Sequence, residues 1–290
     1  MTQIEPGIFV RHDPVVEPVP VVFDSPHSGS RYPEDFQYAC PARLLRHAED
    51  AHVDKLYGAA PAVGGTLIAA LFPRSYIDVN RGLEDIDQQL LDQPWPGPVS
   101  ASDRTRVGMG LVRRICRPGL QMYDRKLTVA EIKHRIEHYY RPYHAAVADA
   151  IDSAAARFGG VWHVNCHSMP STRGPRASVH GWERADFVLG DRDGTTCAIG
   201  FRRLVQGTLE RMGYDVRVND PYKGVELVRR FGQPQLGRHS LQIEVNRRLY
   251  MNEDTLERIA GYDRLKRDLD TLVGAIAAYA RDQLTAAAAD

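Results

Sequence analysis

Cysteine is scarce, with four in 290 residues, and Cys40, Cys116, Cys166 and Cys197 form no CxxC pair. That spacing excludes a disulfide framework and argues against a thiolate zinc knuckle, so the thiols are expected to be reduced and mostly buried. Net charge is missing too, because 37 basic residues balance 37 acidic ones. With no overall field to hold a polyanion, nucleic acid is not an expected partner. No apolar run is long enough to cross a bilayer, and residues 1–6 lack the basic start and apolar core of a secretory signal. The expectation is a cytoplasmic protein without a membrane partner. Repeats, linkers and low-complexity tracts are also lacking apart from an alanine-rich tail, which predicts a single domain over residues 1–290.

What is present has the balance of an ordinary globular chain, 43% apolar and 26% charged. Val19-Pro20-Val21-Val22-Phe23-Asp24 is a short apolar run that stops at Ser25-Pro26-His27-Ser28-Gly29, as a buried strand does at a polar turn. Leu44, Leu45, Ala48, Val53 and Leu56 recur at roughly helical spacing over residues 42–57, and a strand is expected over 66–72. Strand, helix and strand make a parallel unit. Further strands are expected over 75–80, 161–166, 186–189, 214–218 and 240–245, and helices over 128–158, 196–212 and 255–284. This alternation predicts an α/β fold, one twisted and largely parallel sheet with helices on both faces. Periodicity fails between residues 82 and 126, around Trp95-Pro96-Gly97-Pro98, and this stretch reads as an irregular excursion that covers the site.

In open α/β sheets, ligands gather beyond the carboxyl ends of the strands, where diverging loops leave a crevice. The expected strand ends deliver His27, Arg81 and His167, and the last strand carries Glu244. Two imidazoles, a carboxylate and an open position form a common catalytic zinc set, because zinc accepts nitrogen and oxygen ligands and keeps one position for water or substrate. Spacing alone leaves a second reading open, since a strand-end imidazole is often only a hydrogen-bonded structural residue. Glu244 shares a strand face with Gln242 and Asn246, and burial there would call for a metal or an arginine nearby. A salt bridge to a neighbouring arginine is the plainer alternative for it.

Rival chemistries fare worse. Cys166 and His167 are adjacent on a strand and point to opposite faces, so the imidazole does not activate that sulfur. No GxSxG elbow, Walker loop or GxGxxG follows a strand. The paired arginines Arg113-Arg114, Arg202-Arg203, Arg229-Arg230 and Arg247-Arg248 read mostly as solvated surface, although any pair would also suit a small anion.

The ordered set Ser25-Pro26-His27-Ser28-Gly29, Asp50-Ala51-His52-Val53-Asp54, Ile77-Asp78-Val79-Asn80-Arg81, Asn165-Cys166-His167-Ser168-Met169-Pro170 and Gln242-Ile243-Glu244-Val245-Asn246-Arg247 resembles the N-formylglutamate amidohydrolase family. The resemblance runs from about Phe23 to Arg248. It implies a zinc carboxypeptidase-like fold, a mixed and mostly parallel eight-stranded sheet between helices. It also implies zinc-dependent hydrolysis of N-formyl-L-glutamate to L-glutamate and formate, a step of histidine degradation, although another divalent metal could serve.

Residue by residue, the resemblance implies a zinc ion held by His27, an acidic residue and His167, with Glu244 as general base. Zinc carboxypeptidases take two ligands from an HxxE motif, whereas Ser30 stands three residues after His27 here. The carboxylate must come from elsewhere: Asp50 is nominated first, then Glu49, then Asp54. For Asp54 and His52 a supporting role is preferred to ligation. Asn80-Arg81 matches the Asn-Arg pair that carboxypeptidase-like enzymes use for a substrate carboxylate, and the resemblance implies a share in catalysis for Arg81, which would steady the oxyanion. An arginine fork suits a carboxylate better than a lysine does. An N-acyl acidic amino acid has two carboxylates, and Arg247 is the candidate second cation, with Arg248 and Arg238 behind it. The alternatives are an amidohydrolase or carboxypeptidase-like enzyme acting on another N-acyl amino acid, or a non-catalytic protein that binds an acidic metabolite.

Overall fold

Val21, Val22 and Phe23 are buried on both faces of a strand, Val21–Ser25, in the computed structural model, which describes residues 1–171 and 185–287. The strands in chain order are β1 (Thr2–Glu5), β2 (Phe9–His12), β3 (Val21–Ser25), β4 (Thr66–Ala70), β5 (Ile115–Arg117), β6 (Leu120–Gln121), β7 (Val161–Met169), β8 (Phe187–Gly190), β9 (Val216–Val218) and β10 (Arg238–Asn246). Eight of them form one mixed sheet in the order β1-β2-β4-β3-β7-β10-β8-β9, and β5 and β6 form a separate hairpin. The centre is parallel, with β3 between β4 and β7, and β7 beside β10. β1, β2 and β8 run against their neighbours on the inner side.

Helices cover both faces, each over its own core. On one face Phe23, Val164, Cys166, Leu241, Ile243 and Val245 pack under helices Ile199–Arg211 and Tyr262–Ala287. On the other, Val22, Ile68 and Val161 meet the helical stretch that runs from Val129 to Phe158. That stretch starts at a capping box, in which Thr128 and Glu131 satisfy each other's free backbone N–H, and stops where Gly159 takes a left-handed φ of 79°. Burying each large apolar side chain in these layers contributes about 1.5–3 kcal/mol, which is why alternation along β7 and β10 fixes the register so firmly.

Three departures from the expected elements stand out, the first two of them at the site. Residues 75–80 form no strand. Asp78 Oδ1 accepts the Asn80 N–H at 3.0 Å and the Asp78 carbonyl accepts the Arg81 N–H at 3.1 Å, so short polar side chains turn the backbone instead of extending it. The stretch 42–57 is two short helices, Ala42–Arg46 and Val53–Leu56, parted where the Asp50 N–H donates to the His27 carbonyl at 2.9 Å. His52 accommodates that break with a φ of 68°. Finally, β1 and β2 were not anticipated, because β1 is exposed along its whole length and carries no apolar alternation toward a core.

The excursion over residues 82–126 folds back on the sheet's carboxyl edge. The Asp78 N–H donates to the Leu111 carbonyl at 2.8 Å, and the Leu111 N–H to the Asp85 carbonyl at 2.9 Å. The Asp85 carboxylate in turn holds Ser102 and Thr105 at the one-turn helix Asp103–Arg106. Three of the cysteines are buried and all four are free, as their spacing predicted.

Candidate active site

The parallel register of β7 and β10 sets His163, Asn165 and His167 beside Ser240, Gln242 and Glu244. Alternation turns all six to one face and sends Trp162, Val164 and Cys166 to the apolar core opposite. Burial, with the charge of Asp24 adding to it, raises the Cys166 thiol well above its ordinary value, so that sulfur is a packed, inert one.

His27 lies just past the end of β3, and the chain after it runs close to the loop following β4. A Cβ on Gly29 would come within 2.2 Å of the Phe72 carbonyl oxygen, so this position takes only glycine. The His27 ring is buried, 4.7 Å from the His167 ring between centroids. Its Nε2 is 2.7 Å from Asp78 Oδ1. Burial opposes ionisation of Asp78, but Arg74, His27 and Arg81 hold its carboxyl well below the usual carboxylate range. An ionised carboxylate only accepts, so the ring proton sits on Nε2 and Nδ1 keeps its lone pair. That buried Nδ1 has no hydrogen-bond partner and lies 3.4 Å from Asp50 Oδ2.

His167 repeats the arrangement. Asn165 donates from Nδ2 to Asp24 Oδ1 at 2.8 Å, which turns its Oδ1 toward His167 Nε2 at 2.7 Å. Asn80 Nδ2 approaches the same nitrogen at 3.1 Å, and the shorter contact carries the ring proton. Nδ1 of His167 then faces Asp50 Oδ2 at 3.1 Å. Ligand atoms of His27, Asp50 and His167 all fall within 4.8 Å of one another, and all three residues are buried. Two imidazole lone pairs and a carboxylate oxygen converge with their protons directed away, which is the donor set of a divalent metal centre braced from behind.

The competing acids point elsewhere. Glu49 accepts from the Tyr32 hydroxyl at 2.7 Å and from Arg46 at 3.3 Å. Asp54 is tied through its backbone N–H to the Ser28 hydroxyl, and His52 Nε2 contacts the Leu256 carbonyl at 2.9 Å. Burial would raise the Asp50 carboxyl, yet the imidazoles of His167 and His27 and the guanidinium of Arg247 beside it hold it well below the ordinary range.

A cavity of about 440 Å³ opens beside the triad, bordered by His27, His167, Gln242 and Glu244. Glu244 is buried, and that burial raises its carboxyl above the ordinary value, with His167 opposing. It accepts a hydrogen bond from Gln242 Nε2 at 2.9 Å on Oε1, and it forms no direct ion pair among the described residues.

Arg81, Asn80 and Arg247 all reach the cavity, but they are not equally free. Arg81 Nε is buried without a hydrogen-bond partner, 3.8 Å from Asp78 Oδ2, and burial lowers its guanidinium from the usual value. Asn80 is engaged at Oδ1, which accepts the Leu227 N–H at 2.9 Å. Arg247 donates to Ser168 Oγ at 3.1 Å, the His47 carbonyl at 2.9 Å, the Glu49 carbonyl at 2.8 Å and Asp50 Oδ1 at 2.9 Å. Four of its five N–H groups are thereby used, and its fork holds Asp50 in place. Arg238 pairs with Asp152 and Arg248 with Asp186, away from the cavity.

Sequence reasoning missed Arg74, Arg104 and Arg113, which also border the cavity. Arg74 donates to Asp78 Oδ2 at 2.7 Å from Nη2, so it fixes the acid that orients His27. Arg113 was grouped with surface arginines because it is one of a pair. The available signal was its position in the excursion, directly after the buried Leu111 and Val112.

A family model described as N-formylglutamate amidohydrolase matches residues 19–251. The chain is 27% identical over 240 residues to a protein named N-formylglutamate deformylase from Pseudomonas putida, and 28% identical over 241 residues to one of the same name from Pseudomonas aeruginosa. Each alignment spans 81% of this chain and 83% of the relative. The fold is similar to the crystal structure of an N-formylglutamate amidohydrolase from Ralstonia eutropha JMP134, with a TM-score of 0.91 and 50% identity, covering 96% of this chain and 99% of that one.

Proposed function

From the premise that this chain belongs to the N-formylglutamate amidohydrolase family, we propose that it hydrolyses N-formyl-L-glutamate to formate and L-glutamate in the cavity beside His27, Asp50 and His167. The reading is carried by one observation: the buried, partnerless Nδ1 of His27 converges with Asp50 and His167 next to Glu244. The donor set fits zinc, whose geometry accepts two nitrogens and an oxygen and leaves room for a further ligand. When bound, such an ion supplies a Lewis acid for the formyl oxygen and lowers the proton affinity of water.

The chain's own groups supply the rest. Glu244 takes a proton from the attacking water and returns it to the amide nitrogen as the C–N bond breaks, so formate and a free amine leave. Gln242 holds Glu244 Oε1 and leaves Oε2 for this transfer. Burial keeps the carboxyl basic enough to accept a proton, and the same burial excludes the bulk water that would weaken every charge contact. Arg81, free at Nε, takes the α-carboxylate of the substrate and so lies near the oxygen that gains charge. Arg247 steadies Asp50, which assigns it to alignment of the ligand set.

Release of free L-glutamate from N-formyl-L-glutamate, N-acetyl-L-glutamate and a peptide with a C-terminal glutamate tests the proposal, each assayed after chelation and after zinc is returned. Metal-dependent turnover confined to the formyl compound is expected. Full turnover in metal-free protein would reject the assignment of the triad, and cleavage of the peptide alone would favour the carboxypeptidase-like alternative.

A further inference from the structure

The charge of the cavity wall is unbalanced. Arg74, Arg81, Arg104, Arg113 and Arg247 border it, and Glu244 is the carboxylate in the lining among the described residues. Arg74 and Arg247 are matched by Asp78 and Asp50, and Arg81 stands 3.8 Å from Asp78. Arg113 differs from all of these. It forms no ion pair or side-chain hydrogen bond among the described residues, and its Nε is buried without a partner. Burial, reinforced by repulsion from Arg74 and Arg81, pulls its guanidinium down to about 9, while Asp78 and Asp50 only partly offset this. A desolvated cation without a partner is costly, and the fold does not supply one.

We propose that Arg113 binds the side-chain carboxylate of the substrate and thereby selects N-acylated acidic amino acids over neutral ones. This rests on the deformylase reading above and adds to it the residue that sets specificity. The placement follows from connectivity. Asp78 bonds both His27 and Arg74 and stands beside Arg81, so those arginines are tied to the reacting end, where the α-carboxylate of an N-formyl amino acid must lie. Arg113 comes instead from the excursion, with Met109 and Arg104, and feels Asp78 and Asp50 only as neighbouring charges, with no ion pair to either among the described residues. A planar guanidinium can form two parallel hydrogen bonds to a carboxylate, and a neutral amide in the same place would leave it unsatisfied.

The test compares wild type, Arg113→Gln and Arg113→Lys on N-formyl-L-glutamate and N-formyl-L-glutamine. Wild type should prefer the glutamate compound in kcat/KM by about 100-fold, the scale of a lost contact to a buried charge. Arg113→Gln should cut that preference at least about tenfold, chiefly through KM, and Arg113→Lys should restore part of it. A preference left intact in both variants would overturn the proposal. A second readout needs no turnover: glutarate should raise the melting temperature of wild type more than butyrate at equal concentration, and this difference should vanish in Arg113→Gln and shrink in Arg113→Lys. Equal shifts from the two acids in wild type would also overturn it. If wild type fails to deformylate N-formyl-L-glutamate, the functional reading falls, while the glutarate comparison still judges Arg113.

Discussion

Glu244 shows how one side chain depends on its surroundings. Its carboxyl is raised by burial, so as pH falls the base is neutralised earlier than an exposed glutamate would be. The rate should therefore drop on the acid side with a midpoint above the ordinary 4.5, seen in a profile of kcat/KM against pH. Glu244→Gln should keep the metal and lose about 10²- to 10⁴-fold in kcat, measured beside bound zinc in the same preparation. An active Glu244→Gln enzyme would remove the assigned base. His27, His167 and Glu244 were legible because strand ends and strand alternation are local properties, whereas Arg81 was picked out by a strand over residues 75–80 that does not form. Arg113 was not, since nothing in a pair of adjacent arginines tells which one turns inward.

At the scale of elements, the helix Arg141–Phe158 carries His144 against the loop that replaces the expected strand over 75–80. The ring is buried, its Nε2 contacts the Val79 carbonyl at 2.8 Å, and it stacks on Tyr140 at 4.1 Å between centroids. Burial lowers its pKa from 6.5 to about 4. The unfolded chain binds a proton here below pH 6.5, the folded one only below about 4, so the unfolded state holds more protons in between. Stability should fall as pH drops through that window, by about 3 kcal/mol from this group. Urea unfolding at pH 7 and pH 5 should show the loss, and His144→Gln should flatten it; an unchanged slope in the variant would assign the effect to other groups. The loop itself escaped prediction because apolar residues at 77 and 79 mimic a strand, while the side chain of Asp78 bends the backbone.

Across the whole molecule, the triad joins three separated stretches of chain: the exit of β3, the break between the two short helices, and the carboxyl end of β7. Each brings a donor atom to one point, a convergence that a divalent cation would satisfy. Chelation should lower the melting temperature and zinc should restore it, since an ion present at 100 times its dissociation constant stabilises by about 2.7 kcal/mol. A melting temperature indifferent to zinc would count against the ligand set. The sequence by itself determined the layers of the fold and which strands carry polar residues inward, because periodicity and turn residues act over a few neighbours. Only the tertiary structure decided that Asp50 and not Glu49 meets the histidines, that Arg247 braces Asp50, and that Arg113 is left without an anion. Those outcomes turn on loop breaks and cross-strand register, where one residue's shift reverses the direction of a side chain and no local pattern records the choice.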